Sequence, residues 1–371
     1  MPRTIPSLWL AVALTTAATG CTADTPATTA PTVIAANGSV LASKGDDDDD
    51  DDDRDDEHDD ARPVTYALIG DVPYEPRTPE TALSLFPTLI QSINADPQVS
   101  RAIHLGDIKS GSTVCSDQWF QTIASAFTTF ADPLVYAIGD NEWTDCHRAN
   151  NGGYNPVERL TKIREIFFAK PGKTLGGKRK HVDAQRGYPE NQGWMASRVA
   201  FATFHVVGSN NGLDPWFGDR QPTPGETPAE TAARQAEYAG RNAANIAWLD
   251  RTFEQARDEN AAGVVLMFQA DLWHPGDRAA GAQFSGHGAF LTRLATLAAQ
   301  FKRPVLLIAG DSHDYRVDVG VPWFSLYGLT PLGNVTQLIV DRSIEADVDW
   351  LRLTVDPKSP GVFSWTQVFV P

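Results

Sequence analysis

The chain has 371 residues, 42% of them hydrophobic, and a formal net charge of −16. That is enough apolar material for a sizeable core in one large domain. Residues 46 to 60 hold thirteen acids and one arginine, so this tract alone carries −12 and leaves −4 for the rest (−16 less −12); neither part offers the basic face that nucleic-acid binding needs.

Residues 1–20 read as a signal peptide. Arg3 gives a positive start, Leu8 to Leu14 an apolar stretch too short to span a bilayer, and Ala17-Ala18-Thr19-Gly20 small residues before Cys21. The segment Ala18-Thr19-Gly20-Cys21 is similar to a bacterial lipoprotein lipobox, which implies lipidation of Cys21; plain secretion with a nearby cleavage site is the alternative. The expectation is an exported protein of the cell envelope or periplasm, meeting membrane only through that anchor. Residues 21–62 cannot bury a core and read as a disordered acidic tether, with eight consecutive aspartates, Asp46 to Asp53, extending the chain by repulsion.

Residues 63–371 read as one domain in which strand and helix alternate. Strands are expected over 64–70, 102–105, 134–138, 201–207, 263–268 and 304–309, and helices over 78–94, 117–130, 156–168, 227–258 and 288–301. Thr78-Pro79 and Thr227-Pro228-Ala229-Glu230 carry helix-start signals. The tail, 350–355 and 362–370, alternates like antiparallel strands. The pattern is that of an α/β layered sandwich.

Four of these strands end in Gly-Asp: Gly70-Asp71, Gly106-Asp107, Gly139-Asp140 and Gly310-Asp311. A glycine there permits a tight turn, and the next residue then sits at the carboxyl edge of the sheet, where open α/β sheets bind ligands. Four carboxylates at one edge repel one another unless cations separate them, and a metal pair is the natural candidate. Gly45-Asp46, Gly218-Asp219 and Gly276-Asp277 lack a preceding apolar strand and carry no such weight. With Cys21 set aside, Cys115 and Cys146 follow two of the strand ends by eight and six residues. Neighbouring strands would let those loops meet in a disulfide, as an oxidising compartment permits; two unpaired thiols are the alternative.

In their order, Gly70-Asp71, Gly106-Asp107, Gly139-Asp140-Asn141-Glu142 and Gly310-Asp311-Ser312-His313 resemble the calcineurin-like metallophosphoesterases, over roughly residues 64 to 320. The resemblance implies two packed mixed β-sheets flanked by helices, two divalent metal ions, and hydrolysis of a small phosphate mono- or diester. It implies that Asp107 bridges the ions, that Asp71 and His313 complete one site, and that Asn141, Gln269 and Asp311 complete the other. An ungapped alignment instead makes Asp140 the ligand and puts Asn141 where the family has a catalytic histidine. Pro73 stands where the first motif has histidine, with Tyr74 beside it as a substitute phenolate; Gln269 and Asp311 replace two further histidines. Nearly every change swaps nitrogen for oxygen, which favours ions such as Mg²⁺ or Mn²⁺, and iron, over Zn²⁺. Glu142 and His274 are the candidates for the general acid, and Lys109 for pairing with a phosphate oxygen. His147 and Arg148 could also face substrate, Asn210-Asn211-Gly212 is a tight turn or part of the cleft rim, and Trp143, Trp216 and Trp273 are expected to pack against the scaffold. The rival reading is a non-catalytic surface protein that kept the fold.

Overall fold

The computed structural model describes residues 61–74, 79–217, 225–274, 284–342 and 348–370. The expected signal peptide, Cys21, most of the tether and the Thr78 helix cap lie outside them. No described helix is long and apolar enough to cross a membrane.

The chain forms two mixed β-sheets flanked by helices. In chain order the strands are β1 (Val64–Ile69), β2 (Val99–His104), β3 (Pro133–Tyr136), β4 (Leu175–Gly176), β5 (Asp183–Gln185), β6 (Tyr188–Ala196), β7 (Val199–Thr203), β8 (Gly263–Met267), β9 (Val305–Ala309), β10 (Arg316–Val319), β11 (Val335–Ile339), β12 (Asp349–Val355) and β13 (Phe363–Phe369). One sheet has the order β13-β12-β1-β2-β3-β4, the other β10-β11-β9-β8-β7-β6-β5. β1, β2 and β3 run parallel in the first, and β7, β8, β9 and β11 in the second.

Alternation along the central strands builds the layers. Tyr66 and Leu68 of β1 join Ile103, Val135, Phe201, Val265, Met267 and Ile308 in the core between the sheets. Ala67 and Ile69 face the other way, onto the helices Pro79–Asn94, Asp117–Phe127 and Pro156–Phe167. The outer face of the second sheet is covered by the helices Pro228–Asp258 and Gly288–Phe301, through residues such as Leu249, Phe253, Phe290 and Leu294. The long helix starts with a capping box: Glu230 N donates to Thr227 Oγ1 (3.3 Å) and Thr227 N to Glu230 Oε2 (2.8 Å). The strand expected at 201–207 begins at Val199 and stops at Thr203, because the chain turns there, Val206 N bonding back to Phe204 O at 2.9 Å. β4, β5, β6, β10 and β11 do not appear in the sequence pattern.

Candidate metal centre

The parallel strands of both sheets deliver their carboxyl ends to one margin. Asp71, Asp107 and Asp140 follow β1, β2 and β3; Gly208-Ser209, Gln269 and Asp311 follow β7, β8 and β9. Asp71, Asp107 and Asp311 hold left-handed backbones, with φ of 51°, 56° and 74°. Such a conformation costs a non-glycine residue on the order of 1–3 kcal/mol and persists where the surroundings enforce it. Those surroundings are each other's loops. A Cβ on Gly139 would collide with Asp107 Oδ1, and one on Gly310 with Asp71 Oδ2. One on Gly208 would sit 2.6 Å from Asp140 Oδ2 and 3.0 Å from Asp311 Oδ1. The glycine of one segment therefore makes room for the carboxylate of another.

Oxygen atoms of Asp107, Asp140 and Asp311 lie within 4.8 Å of one another. Asp71 joins them: its Oδ2 accepts from Asp311 N at 3.0 Å. Asp71, Asp107 and Asp140 are buried. Burial first, then the Asp140 and Asp71 charges, push the carboxyls of Asp107 and Asp311 well above the ordinary range. The remaining Asp71 oxygen, Oδ1, is 3.2 Å from His313 Nε2, yet neither buried atom has a hydrogen-bond partner. The imidazole and the carboxylate thus meet at ion-pair distance beside the cluster. The oxygens that could hold a cation are those of Asp107, Asp140 and Asp311, with Asp71 and His313 adjoining them. It is an oxygen-rich set, of the kind suited to Mg²⁺, Mn²⁺ or Ca²⁺.

Both open readings of the third motif end at the cluster, in different roles. Asp140 is the carboxylate that meets Asp107 and Asp311. Asn141 approaches as a donor, its Nδ2 bonding Asp107 Oδ2 at 2.7 Å and its backbone N bonding Asp107 Oδ1 at 3.3 Å. The expectation that Gln269 is a ligand needs correction. Its Oε1 is committed to the Gly208 N–H (2.7 Å), so its Nε2 faces the carboxylates, donating to Asp140 Oδ1 (3.0 Å) and Asp107 Oδ2 (3.3 Å). Gln269 steadies two acids and presents no oxygen to them.

The other expected side chains take these positions. Glu142 is fully buried beneath the loops, where its Oε1 accepts from Gly139 N (2.6 Å), Tyr136 OH (2.7 Å) and Asp107 N (3.2 Å), so it shapes the turns rather than facing a leaving group. Lys109 is equally buried and donates to Asn141 O (2.6 Å) and Ser110 O (2.8 Å); burial lowers its pKa to about 8. It is a strut between two loops, not a phosphate contact. His274 follows β8 and lies 3.6 Å from Asp314 Oδ2. Tyr74 does reach the margin, its OH 3.4 Å from Asn141 Nδ2 and its ring 4.5 Å from that of His313. Burial and the Asp107 and Asp71 charges push its pKa up, which keeps the proton on and argues against a phenolate. His147 is buried with Nδ1 accepting from Phe217 N (2.8 Å), and Arg148 pairs with Asp145. Trp143 and Trp216 are buried in the scaffold, as expected, and Trp273 packs against the helix-side core of the second sheet.

Cys115 and Cys146 form a disulfide, Cα atoms 5.8 Å apart, joining the loops that carry Asp107 and Asp140. Both sulfurs approach the Asn141 carbonyl, at 3.5 and 3.6 Å, the same oxygen that Lys109 holds. The bridge closes a span of 31 residues, a loop whose constraint contributes about 3–4 kcal/mol in the chain-entropy account. A Cys115→Ser/Cys146→Ser protein is expected to lose that much in urea denaturation; an unchanged midpoint would contradict it.

Sequence reasoning missed the turn after β7. Ser209, Asn210 and Asn211 are consecutively left-handed (φ 49°, 55° and 57°; ψ 46°, 42° and 38°), a run that costs L-residues roughly 1–2 kcal/mol each. Side chains hold it. Asn210 Oδ1 accepts from Gly286 N (2.7 Å), Asn211 Nδ2 donates to Gly286 O (3.0 Å), and Arg241 donates to Asn211 Oδ1 (2.6 Å) and O (2.8 Å). The turn places Ser209 Oγ 2.9 Å from Asp140 Oδ2 and 2.8 Å from Asp145 Oδ1. The single hydroxyl hydrogen is shared between the two carboxylates in a three-centre bond. Burial and the Asp140 charge raise the pKa of Asp145 to about 6. The open choice for Asn210-Asn211-Gly212 thus resolves as a turn, and one that touches the acid cluster through its neighbour Ser209.

Besides His147, three histidines are buried near these loops. His104 bonds Val72 O (2.6 Å), His205 bonds Glu190 Oε1 (2.9 Å) and His287 bonds Val207 O (3.0 Å); burial lowers each pKa from 6.5 to about 4. Each is neutral in the folded state at pH values where the unfolded chain is protonated. Their contribution to stability is therefore complete above about pH 6.5 and is lost as pH falls toward 4, at up to about 1.4 kcal/mol per pH unit per histidine. In a His287→Gln variant, the difference in unfolding free energy from wild type should change with that slope between pH 6.5 and 4 and level off above. A pH-independent difference would mean that the native state takes up a proton at His287 as readily as the unfolded chain does.

No protein-family model matches the chain, and no curated protein matches it at a significant level.

Proposed function

We propose that the chain is a metal-dependent phosphoesterase of the calcineurin-like type, hydrolysing a small phosphate mono- or diester at the carboxylate margin. The observation that carries the reading is the meeting of Asp107, Asp140 and Asp311 at strand ends, with Asp71 bonded to Asp311 N and paired with His313 beside them, in the chain order of the four sequence motifs. Divalent cations at such a site neutralise a phosphate and activate water for attack. The residues of this chain would divide the work around that. The four aspartates and His313 would hold the ions. Asn141 and Gln269 hold Asp107 and Asp140 in orientation by donating to them. Tyr74, which keeps its proton, can donate a hydrogen bond at the rim. Of the two candidates for the general acid, Glu142 is tied through Oε1 to the loop backbone, which leaves His274, beside Asp314, as the candidate.

The test is hydrolysis of p-nitrophenyl phosphate and bis(p-nitrophenyl) phosphate by the purified chain with Mn²⁺ or Mg²⁺, against a metal-free control. Cation-dependent turnover supports the reading. Cation uptake without turnover on any phosphoester would favour the non-catalytic surface protein instead. Export on a lipid anchor at Cys21 is part of the same proposal, and the cysteine pair, at home in an oxidising compartment, is compatible with it.

A further inference from the structure

We propose that Ser209 is a positioning residue of the metal centre: clamped in its left-handed turn, its hydroxyl bridges Asp140 Oδ2 and Asp145 Oδ1 and fixes the orientation in which Asp140 offers its remaining lone pairs to a divalent cation. This rests on the metal-centre reading above and extends it to a residue outside the ligand motifs. Asp140 is held at both oxygens, Oδ1 by Gln269 Nε2 (3.0 Å) and Oδ2 by Ser209 Oγ (2.9 Å). The adjoining Gly208 leaves space for Oδ2 that a side chain would fill, and its N–H fixes which way Gln269 points. Segment 208–209 thus sets both contacts on Asp140, one directly and one through Gln269.

The backbone argues that the serine is there for its hydroxyl. Three successive non-glycine residues in the left-handed region are disfavoured, and glycine would suit position 209 better. The turn is nonetheless pinned by Asn210, Asn211, Gly286 and Arg241, and its outcome is to bring one oxygen between two carboxylates. Asp145 is itself anchored by an ion pair to Arg148. The chain Arg148–Asp145–Ser209–Asp140 therefore ties a ligand to a fixed cation, the arrangement by which outer contacts orient metal-binding carboxylates.

The experiment compares wild type, Ser209→Gly and Ser209→Ala by calorimetric titration of the metal-stripped full chain with Mn²⁺, alongside thermal melting. Ser209→Gly should fold at least as stably as wild type, because the strained position accepts glycine, yet bind Mn²⁺ about 10- to 100-fold more weakly; Ser209→Ala should show the same loss of affinity. If Ser209→Gly binds Mn²⁺ as tightly as wild type, Ser209 only builds the turn and the proposal is overturned. If wild type itself takes up no Mn²⁺ or Mg²⁺, the metal-centre reading falls as well, an outcome the wild-type titration separates from the first.

Discussion

An Asp107→Ala protein is expected to hydrolyse p-nitrophenyl phosphate at least about 10³-fold more slowly than wild type while still unfolding cooperatively. Asp107 touches more of the site than any other acid. It lies in the three-carboxylate cluster and accepts from Asn141 N, Asn141 Nδ2 and Gln269 Nε2. By resemblance it is the residue between two ions, so its loss weakens both. Removing several kcal/mol of transition-state charge stabilisation corresponds to a rate loss of roughly that size. The fold should survive. The side chain lies outside the three apolar clusters, and deleting it also removes repulsion from Asp140, Asp71, Glu142 and Asp311. The measurement is kcat/KM with Mn²⁺ together with near-ultraviolet circular dichroism. Full activity in a folded variant would overturn the assignment.

The second large effect has two signs in one variant. Asp311→Asn should lose Mn²⁺ affinity by about 10³-fold and, in the metal-free state, melt above wild type. Asp311 Oδ2 accepts from Asp271 N at 3.2 Å, a bond that an asparagine oxygen can keep. The amide nitrogen would then face the Asp140 side, turning a repulsive pair into a donor and an acceptor. Burial and the charges of Asp140, Asp71 and Asp271 already oppose ionisation at this position, so the neutral side chain relieves the folded state. A gain of about 1 kcal/mol is of the size seen when a strained functional site is neutralised at the expense of activity. Melting curves with and without Mn²⁺ separate the two effects. A metal-free Asp311→Asn protein less stable than wild type would mean that the cluster is not strained by its own charge.

Much of this was legible in the chain. The apolar runs ending in Gly-Asp marked β1, β2 and β9 and the loops beyond them, because a strand buried on both faces reads as continuous hydrophobic sequence. Thr227-Pro228-Ala229-Glu230 marked the long helix for a local reason, its capping box. β6 escaped because Glu190, Asn191 and Gln192 look exposed. They are buried, paired with His205, Asn245 and Thr203, and such long-range partners leave no periodic trace. Lys109 and Glu142 misled for the converse reason. A charged residue beside a ligand motif suggests substrate contact, yet Lys109 donates to two loop carbonyls and Glu142 Oε1 accepts from Gly139 N, Asp107 N and Tyr136 OH. Asp145 and Ser209 carried no motif. Their roles follow from the left-handed turn at 209–211, whose stability comes from Arg241 and Gly286, 30 and 75 positions from Asn211.

The reciprocal fit of glycines and carboxylates bears on how such a centre can change over generations. Gly139 makes way for Asp107, Gly310 for Asp71, and Gly208 for Asp140 and Asp311. A methyl group gained in one loop therefore evicts an acid belonging to a different one, so no motif can drift alone. Lineages that abandon the chemistry should shed glycines and aspartates as matched sets, whereas those retaining it should hold the set even where the surrounding helices have been rewritten.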